Sequence, residues 1–270
     1  MDNFCITDDQ KIFFDDQGYL LFEDVISNEE IILLKKKLNN TYDKLKINNK
    51  NIYSGELGVN EKLILNLHNK DKSFIKLLTN ETILPMIEYG IQKGSYKNKE
   101  KYIVSQFTGR DPNVNVPEQQ LHVDSRFPGA PFPLSIIALW MLDDFNKNTG
   151  ATRLVPGSHL FPEYPKDGHK YKEEIQINAK AGSVLIYNAG LWHGGGKKLK
   201  DLSRWGIIIT YSRWFLKQAF DMTKNTSDEI YQTLTEKEKE LFGFSSVPPH
   251  DENVRAKTII SPENLPKSLK

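Results

Sequence analysis

Three polar residues, His122, Asp124 and His193, have the types and spacing of an open metal site. The first two are separated by one residue in a segment with the pattern of a strand, and alternation along a strand places both side chains on one face. The intervening Val123 is then directed into packing. Two ligands hold a metal poorly. His193 is the candidate third ligand, because the glycines around it permit the close backbone approach that a crowded site needs.

Two histidines and one carboxylate leave coordination positions of a divalent ion open, as in the facial triad of non-haem iron(II) oxygenases. A structural zinc site is instead closed by four protein ligands, usually with cysteines, and Cys5 is the only cysteine. A His-x-Asp pair alone is more often a hydrogen-bonded surface pair, so the prediction depends on all three residues. The other histidines are interpreted as surface or loop residues without a ligand role: His68, His159, His169 and His250.

Arg204 begins a strand-like run in which alternation places Gly206, Ile208 and Thr210 on its own face. The opposite face is predicted to pack outward against helices and comprises Trp205, Ile207, Ile209 and Tyr211. An arginine directed into a barrel needs an anion, and its planar fork matches a carboxylate. A bound dicarboxylate would supply that anion. Taken alone, a surface arginine or an ion pair with Asp or Glu is the simpler interpretation.

The elements that must position these residues fall into two regions. The first hundred residues are predicted to be mostly helical, with capping-box spacing at Thr7 and Gln10 and again at Ser27 and Glu30. Residues 18–22 form a short apolar run that favours a strand. From residue 102 onward, short β-like runs separated by turn residues predict a sandwich or barrel. These runs are 102–107, 119–123, 134–142, 175–178, 183–187 and 205–211.

The last part of the chain regains helix signals. Thr235 and Glu238 have capping-box spacing, and Gly243 stands where a helix would end. This helical tail is predicted over residues 222–244. A lid over the site and a dimer contact are equally open as its role.

Together these motifs resemble the phytanoyl-CoA dioxygenase family of 2-oxoglutarate-dependent oxygenases. The resemblance runs over nearly the whole chain, from residue 13 to the final strand, and three segments carry it. They are His-Val-Asp at 122–124, Asn-Thr-Gly-Ala-Thr-Arg-Leu-Val-Pro-Gly-Ser-His at 148–159, and Ala-Gly-Ser-Val-Leu-Ile at 181–186 followed by Leu-Trp-His at 191–193. Arg204 also lies at the distance beyond the last histidine that is usual in this family.

The resemblance implies a mainly β fold with flanking helices, namely a double-stranded β-helix, or cupin-like jelly roll. Length and the helix and strand signals predict one oxygenase domain over residues 1–270. Within it, residues 1–100 would form a mostly helical covering region, residues 101–215 the jelly-roll core and residues 216–270 a helical tail.

The cofactors implied by the resemblance are iron(II), 2-oxoglutarate as cosubstrate and dioxygen. His122, Asp124 and His193 would hold the metal, and Arg204 would bind the distal carboxylate of the cosubstrate. The expected reaction is hydroxylation of an unactivated C–H bond of a small molecule, with release of succinate and carbon dioxide. Related halogenases replace the carboxylate ligand by a small residue, so Asp124 argues against halogenation. Desaturation, epoxidation and ring closure stay open.

The resemblance also assigns residues to the pocket walls. Trp140, Gln106 and Ser125 match cosubstrate-pocket positions, whereas Gly195 stands where relatives often have a hydroxyl that bonds the cosubstrate. His159, in the Pro-Gly-Ser-His segment, is assigned a structural role. The loop that follows the metal motif is predicted at the pocket mouth. Candidate substrate contacts are Arg126, Phe127 and Arg110, and solvated loop charge is the alternative for the two arginines.

The balance of charged residues limits the classes of partner that the chain is expected to bind. Basic and acidic residues number 36 and 35, so no net field favours nucleic acid or an anionic membrane. The chain shows no secretory-signal pattern and no apolar run approaching the ~18 residues of a membrane span. We therefore expect a cytoplasmic monomer or homodimer that acts on a small molecule.

Two rival functions keep part of the same pattern. One is a catalytically inactive, cupin-like protein that binds a metal or a ligand, and the other is a zinc hydrolase. Neither requires Arg204 together with a complete set of three metal ligands.

Overall fold

Two antiparallel sheets form the centre of the structure, a computed structural model that describes residues 5–47, 61–98, 100–114 and 116–248. The larger sheet has the strand order β1-β7-β4-β9-β3-β2, and the smaller has the order β6-β5-β8. The strands are β1 Tyr19–Phe22, β2 Glu61–Leu65, β3 Tyr102–Pro112, β4 Ser135–Met141, β5 Thr152–Leu154, β6 Ile175–Gln176, β7 Val184–Asn188, β8 His193–Gly195 and β9 Gly206–Arg213. The two sheets share no strand among the described residues.

Helices flank the larger sheet. Within the described ranges the α-helices are α1 Asp8–Gln17, α2 Asn28–Ile47, α3 Leu84–Gln92, α4 Met222–Asn225, α5 Asp228–Tyr231 and α6 Glu236–Leu241. Short 3-10 helices lie at Leu67–Asn69, Lys72–Thr79, Tyr96–Asn98, Lys147–Thr149, Ser158–Leu160 and Phe244–Ser246. In the part of the chain that the structure describes, no helix combines the length and the apolar character needed to cross a membrane.

The first hundred residues supply both edge strands of the larger sheet, β1 at one end and β2 at the other. The prediction of a mostly helical cover is therefore incomplete. β1 had a local apolar signal, whereas β2 was not predicted. It pairs with the second half of β3, from Glu61 opposite Pro112 to Leu65 opposite Thr108. The two strands are separated by more than forty residues in sequence. A five-residue segment is too short for its own hydrophobic pattern to reveal such a partner.

Alternation along β4 and β9 divides the interior into two cores. One face packs against the helices and includes Ile136, Ala138, Trp140, Ile207, Ile209 and Tyr211 together with Leu38 and Met86. The opposite face lies toward the smaller sheet and includes Ile137, Leu139 and Met141 together with Leu154 and Ile177. The alternation predicted after Arg204 is thus present in β9. It places one face of each strand against helices and the other face toward the pocket.

Local signals predicted helix ends more accurately than strand ends. Reciprocal capping boxes are present at Thr7 with Gln10 and at Thr235 with Glu238. Gly243 follows α6 with a φ of 90°. In contrast, residues 119–123 form no strand, because His122 pairs with β8 only through an isolated bridge to His193. This bridge is enough to fix the segment beside the smaller sheet.

Candidate metal and cosubstrate site

The structure brings the three predicted metal ligands together from two segments that are far apart in sequence. One ligand atom from each of His122, Asp124 and His193 lies within 4.8 Å of the others. His122 Nε2 is 3.7 Å from Asp124 Oδ1, and His193 Nε2 is 3.5 Å from Asp124 Oδ2. Within the described ranges, this is the sole group of three or more His, Cys, Asp or Glu side chains so arranged.

Backbone hydrogen bonds hold both ligand segments in place. His122 and His193 exchange main-chain bonds in both directions, at 2.9 and 3.0 Å, and the Asp124 N–H donates to the carbonyl of Ala189 at 2.9 Å. A Cβ on Gly194 would lie 3.0 Å from the carbonyl oxygen of Gln120. The glycine after the second histidine therefore permits the close approach of the two segments.

The imidazole rings are oriented for metal binding. Nδ1 of His122 lies 3.0 Å from the carbonyl of Gln120, and Nδ1 of His193 lies 2.9 Å from the carbonyl of Leu191. A carbonyl oxygen only accepts, so both Nδ1 atoms donate, which leaves Nε2 of each ring directed toward Asp124 as the atom that can bind a metal. Burial also lowers the pKa of His193. That shift favours the neutral imidazole, and this donor set fits a divalent transition metal.

A cavity of about 460 Å³ opens onto this cluster. Its lining includes three predicted residues, Arg204, Gln106 and Arg110, and two residues on the pocket face of the sheet, Leu139 and Ile208. The volume lies within the range of small-molecule sites, which is roughly 300–1,000 Å³. A small ligand can therefore reach the candidate ligand atoms.

Arg204 lies in this cavity without an anionic partner among the described residues. Its guanidinium carbon lies 4.1 Å from the centre of the Phe145 ring, and its Nε–H has no hydrogen-bond partner. Its main-chain N–H donates to Asp111 Oδ1 at 3.1 Å, which fixes the backbone. Burial, followed by the charge of Arg110, lowers the pKa of Arg204 to about 10. The group is cationic at neutral pH and is available to a carboxylate.

Arg110 also faces the cavity, but it is already paired. Its Nε and Nη2 donate to the two carboxylate oxygens of Glu61, each at 2.7 Å. Both residues belong to adjacent strands of the larger sheet. The alternative interpretation of Arg110 as a solvated loop charge is therefore wrong.

Four other predicted pocket residues lie elsewhere. Trp140 is buried on the helix side of β4, and its neighbour Leu139 lines the cavity instead, because adjacent strand residues face opposite ways. The Ser125 hydroxyl accepts the N–H of Phe127 at 3.3 Å. Phe127 is 65% exposed. Neither these two residues nor Arg126 lines the cavity.

The loop after Asp124 turns away from the cavity for a packing reason. Gly129 approaches the segment around Pro162 so closely that a Cβ on it would lie 2.8 Å from the Pro162 Cα. The Tyr164 hydroxyl donates to the carbonyl of Arg126 at 2.8 Å. The loop therefore packs against residues 161–164 and contributes no residue to the lining of the cavity.

Among the polar cavity residues that sequence reasoning missed, two lie beside Gly195. The side-chain oxygen of Gln119 accepts the N–H of Gly195 at 2.8 Å, and a Cβ on Gly195 would lie 3.1 Å from that oxygen. Thr152 is paired with Gly195 across β5 and β8. Both line the cavity. Thr152 lies within the recognised 148–159 motif, so alternation there could have identified it, whereas Gln119 had no comparable signal.

Two of the histidines set aside as surface or loop residues are buried. His68 is fully buried, with Nε2 3.0 Å from Asn225 Oδ1 and its ring against Phe242. It fixes the tail to the 3-10 helix that carries it, so the surface interpretation is wrong. His159 lies beneath α1, with Nε2 3.0 Å from the carbonyl of Asp15. His169 is exposed, and His250 lies outside the described residues.

Comparison with known proteins identifies the class of this site. The family model described as phytanoyl-CoA dioxygenase (PhyH) matches residues 14–204. The chain belongs to the phytanoyl-CoA dioxygenase family. Its members are iron- and 2-oxoglutarate-dependent oxygenases, so the family and the cofactors implied by the sequence motifs, namely iron, 2-oxoglutarate and dioxygen, are confirmed at the level of class.

Two similar proteins align with most of this chain, one by sequence and one by structure. Uncharacterized protein Rv1501 of Mycobacterium tuberculosis is 24% identical over 237 residues, 85% of this chain and 84% of the relative. HygX from Streptomyces hygroscopicus, solved with nickel, 2-oxoglutarate and hygromycin B, has a TM-score of 0.62 at 16% identity over 79% of this chain and 90% of HygX.

The epimerase SnoN, solved with Fe3+, alpha ketoglutarate and nogalamycin RO, has a TM-score of 0.60 at 16% identity, covering 76% of this chain and 82% of SnoN. At such identity these likenesses concern the fold. They confirm the cupin-like jelly roll with flanking helices.

Proposed function

We propose that this family member is an iron(II)- and 2-oxoglutarate-dependent dioxygenase that hydroxylates an unactivated C–H bond of a small-molecule substrate. Succinate and carbon dioxide would be released. One observation carries the proposal: the cationic Arg204, with no salt bridge among the described side chains, shares a cavity with an open cluster of two histidines and one carboxylate. An inactive binding protein or a zinc hydrolase has no use for that combination.

His122, Asp124 and His193 would hold the iron, because their donor atoms converge and the Nδ1 bonds of both imidazoles direct Nε2 toward the cluster. When bound, iron together with 2-oxoglutarate and dioxygen supplies the oxidising chemistry. The protein residues orient the ligands and keep competing water out. The carbonyls of Gln120 and Leu191 fix the two rings, which is the usual role of hydrogen bonds outside the ligand set.

Arg204 would bind the distal carboxylate of 2-oxoglutarate through its planar fork. Gly195 stands where relatives often have a hydroxyl that bonds the cosubstrate. Thr152 and Gln119 flank Gly195 inside the cavity and offer polar groups in its place. Gln106 lines the same cavity from β3 and supports the assignment made from the family resemblance.

The substrate would enter the remaining space, with Arg110 as a candidate contact because it lines the cavity and Glu61 fixes its orientation. HygX was solved with hygromycin B and SnoN with nogalamycin RO, which supports a small-molecule substrate. Because SnoN is an epimerase, the product must be analysed to separate hydroxylation from other outcomes. One oxygenase domain, a cytoplasmic location, a monomer or homodimer and no nucleic-acid partner stay predictions.

Succinate formation tests the proposal. The protein is incubated with Fe(II), 2-oxoglutarate and dioxygen, alone and with a panel of small molecules, and succinate is measured. We expect release that depends on all three additions and rises with a substrate that gains one oxygen atom. Absence of succinate under every condition would contradict the oxygenase proposal.

Two histidine variants test the metal assignment. His122→Ala should lower Fe(II) affinity and abolish succinate release, because two ligands hold the ion poorly. His169→Ala is the matched control, since His169 is exposed and lies outside the cavity lining. Equal Fe(II) affinity in the two variants would refute the assignment of His122 as a ligand.

A further inference from the structure

Next to Arg204 in the structure lies the carboxylate of Asp111, which could pair with its guanidinium but already accepts hydrogen bonds from two lysines. Asp111 is only 2% exposed. Its Oδ1 accepts from Lys198 Nζ at 3.0 Å and from the Arg204 main-chain N–H at 3.1 Å, and its Oδ2 accepts from Lys62 Nζ at 3.1 Å. The backbone of Arg204 is therefore fixed at Asp111, while its side chain makes no hydrogen bond or salt bridge with that carboxylate in the described structure.

Lys198 is the buried member of this arrangement. It follows β8 in the loop that leads toward Arg204, is 4% exposed and lines the same cavity. Its ammonium donates to Asp111 and to the carbonyl of Pro112 at 2.8 Å. Two of its three N–H groups are thus used to hold it against the carboxylate. Lys62 approaches the other oxygen but is 38% exposed at its side chain.

Without Lys198, Asp111 would keep only the partly exposed Lys62 at Oδ2, and the residue whose main chain already lies at Oδ1 is the cationic Arg204. The two groups interact across the short distance set by the main-chain bond, since Asp111 is among the charges that raise the pKa of Arg204 against the larger lowering by burial. A buried carboxylate that loses one of its two ammonium partners is under-neutralised, and an arginine fork is a strong replacement partner. A guanidinium engaged in that way would be closed to an external carboxylate.

We propose that Lys198 is a positioning residue that occupies Asp111 and thereby keeps the Arg204 guanidinium free for the distal carboxylate of 2-oxoglutarate. This inference rests on the proposed function. It assigns the three residues different tasks: Asp111 holds the backbone of Arg204, Lys198 neutralises Asp111, and Arg204 keeps a buried positive charge, without a salt bridge among the described side chains, that a carboxylate can meet.

Binding measurements test this arrangement without using turnover. Dissociation constants for 2-oxoglutarate and for pyruvate, an α-keto acid without the distal carboxylate, are measured by calorimetry on the full chain with Fe(II) under anaerobic conditions. The wild type should bind 2-oxoglutarate more tightly than pyruvate. Lys198→Met should weaken 2-oxoglutarate binding by about tenfold or more, the scale of one charged hydrogen-bond contact. Pyruvate binding should be unchanged.

The decisive result comes from the double variant. Asp111→Asn keeps an oxygen that can accept the Arg204 main-chain N–H but removes the charge that would capture the guanidinium. Lys198→Met combined with Asp111→Asn should therefore restore 2-oxoglutarate affinity to within about threefold of the wild type. If the double variant instead binds 2-oxoglutarate as weakly as the sum of the two single losses in binding free energy predicts, as expected for independent sites, the proposal is overturned. Lys62→Met, at the more exposed lysine, is the matched control and should leave the affinity ratio unchanged.

The outcomes separate this inference from the proposed function. A wild type that does not distinguish 2-oxoglutarate from pyruvate would count against the role of Arg204 and the proposed function itself. Clear discrimination that Lys198→Met leaves intact would refute the role of Lys198 alone. Thermal melting accompanies each variant. Should Lys198→Met not fold, Lys198→Gln removes the same charge and is judged by the same criterion.

Discussion

At the scale of single residues, the site is defined by which charges are already paired. Arg110 and Arg204 line one cavity, but Glu61 binds the first in bidentate fashion, and the second has only the ring of Phe145 against its guanidinium among the described side chains. Two identical side chains therefore differ in what they can bind. A paired arginine orients a ligand through its remaining N–H groups, whereas an unpaired one can neutralise a carboxylate.

A second consequence at this scale concerns the buried His68. Burial lowers its pKa from 6.5 to about 4, so the fold favours the neutral ring. Between pH 6.5 and 4 the unfolded chain binds a proton that the folded chain does not, so stability from this group is complete above 6.5 and is lost as the pH falls. The loss is on the order of 3 kcal/mol.

His68→Gln tests this expectation, because glutamine can still donate to Asn225 but does not titrate. The free energy of unfolding is measured by urea denaturation from pH 7 to pH 4. Its slope with pH reports the number of protons taken up on unfolding, and this number should be smaller in the variant by about one. Equal slopes in the variant and the wild type would show that His68 does not carry the acid sensitivity.

At the scale of elements, the junction between α1 and β1 is set by one glycine and one histidine. Gly18 ends α1 with a φ of 79° and donates its N–H to the carbonyl of Phe14 at 2.8 Å. A Cβ there would lie 2.4 Å from Nδ1 of His159. The Pro-Gly-Ser-His segment thus packs beneath the helix end. His159 supports the position of β1 at the edge of the larger sheet, in keeping with the structural role assigned to it.

Gly18→Ala should destabilise the fold more than a glycine substitution at an open left-handed position. The left-handed conformation alone costs roughly 1–2 kcal/mol for a residue with a Cβ, and the contact with His159 adds to it. Gly168→Ala is the matched control, with a φ of 69° and no atom within 4 Å of the added Cβ. Thermal melting should show the larger loss for Gly18→Ala. Equal losses would mean that the contact with His159 is not tight.

At the scale of the whole molecule, the larger sheet separates stability from binding. Its helix side carries a continuous core that includes Trp140, Trp205 and Tyr211, while its other side carries the wall of the cavity, including Leu139 and Ile208. Adjacent residues of one strand therefore serve different ends. Substitutions on the two faces should change different measurable properties.

Leu139→Trp and Trp140→Phe form the corresponding pair. Leu139→Trp places a large ring at the cavity wall and should weaken 2-oxoglutarate binding by about tenfold or more. Trp140→Phe leaves space in the helix-side core and should lower the free energy of unfolding by about 1–3 kcal/mol while leaving the dissociation constant unchanged. Calorimetry and urea denaturation on both variants give the comparison. A reversed pattern would contradict the assignment of the two faces.

The sequence by itself determined what depends on short-range order: the capping boxes, the alternation in β9, and the joint presence of His122, Asp124 and His193. These features follow from periodicity or from motifs of a few residues. The same alternation could not say which face of β4 lines the pocket. The family resemblance assigned Trp140 to the pocket, whereas in the structure its neighbour Leu139 lines the cavity.

Only the tertiary structure decided the partners of those residues. Glu61 binds Arg110 from a strand that had no local sequence signal. Gln119 lies beside Gly195 and accepts its N–H. Lys198 forms an ion pair with Asp111. Each pair joins segments separated by dozens of residues. The physical reason is that charges and hydrogen-bonding groups pair only when they are close in space. Residues far apart in sequence come that close only after the strands that carry them have assembled into the two sheets.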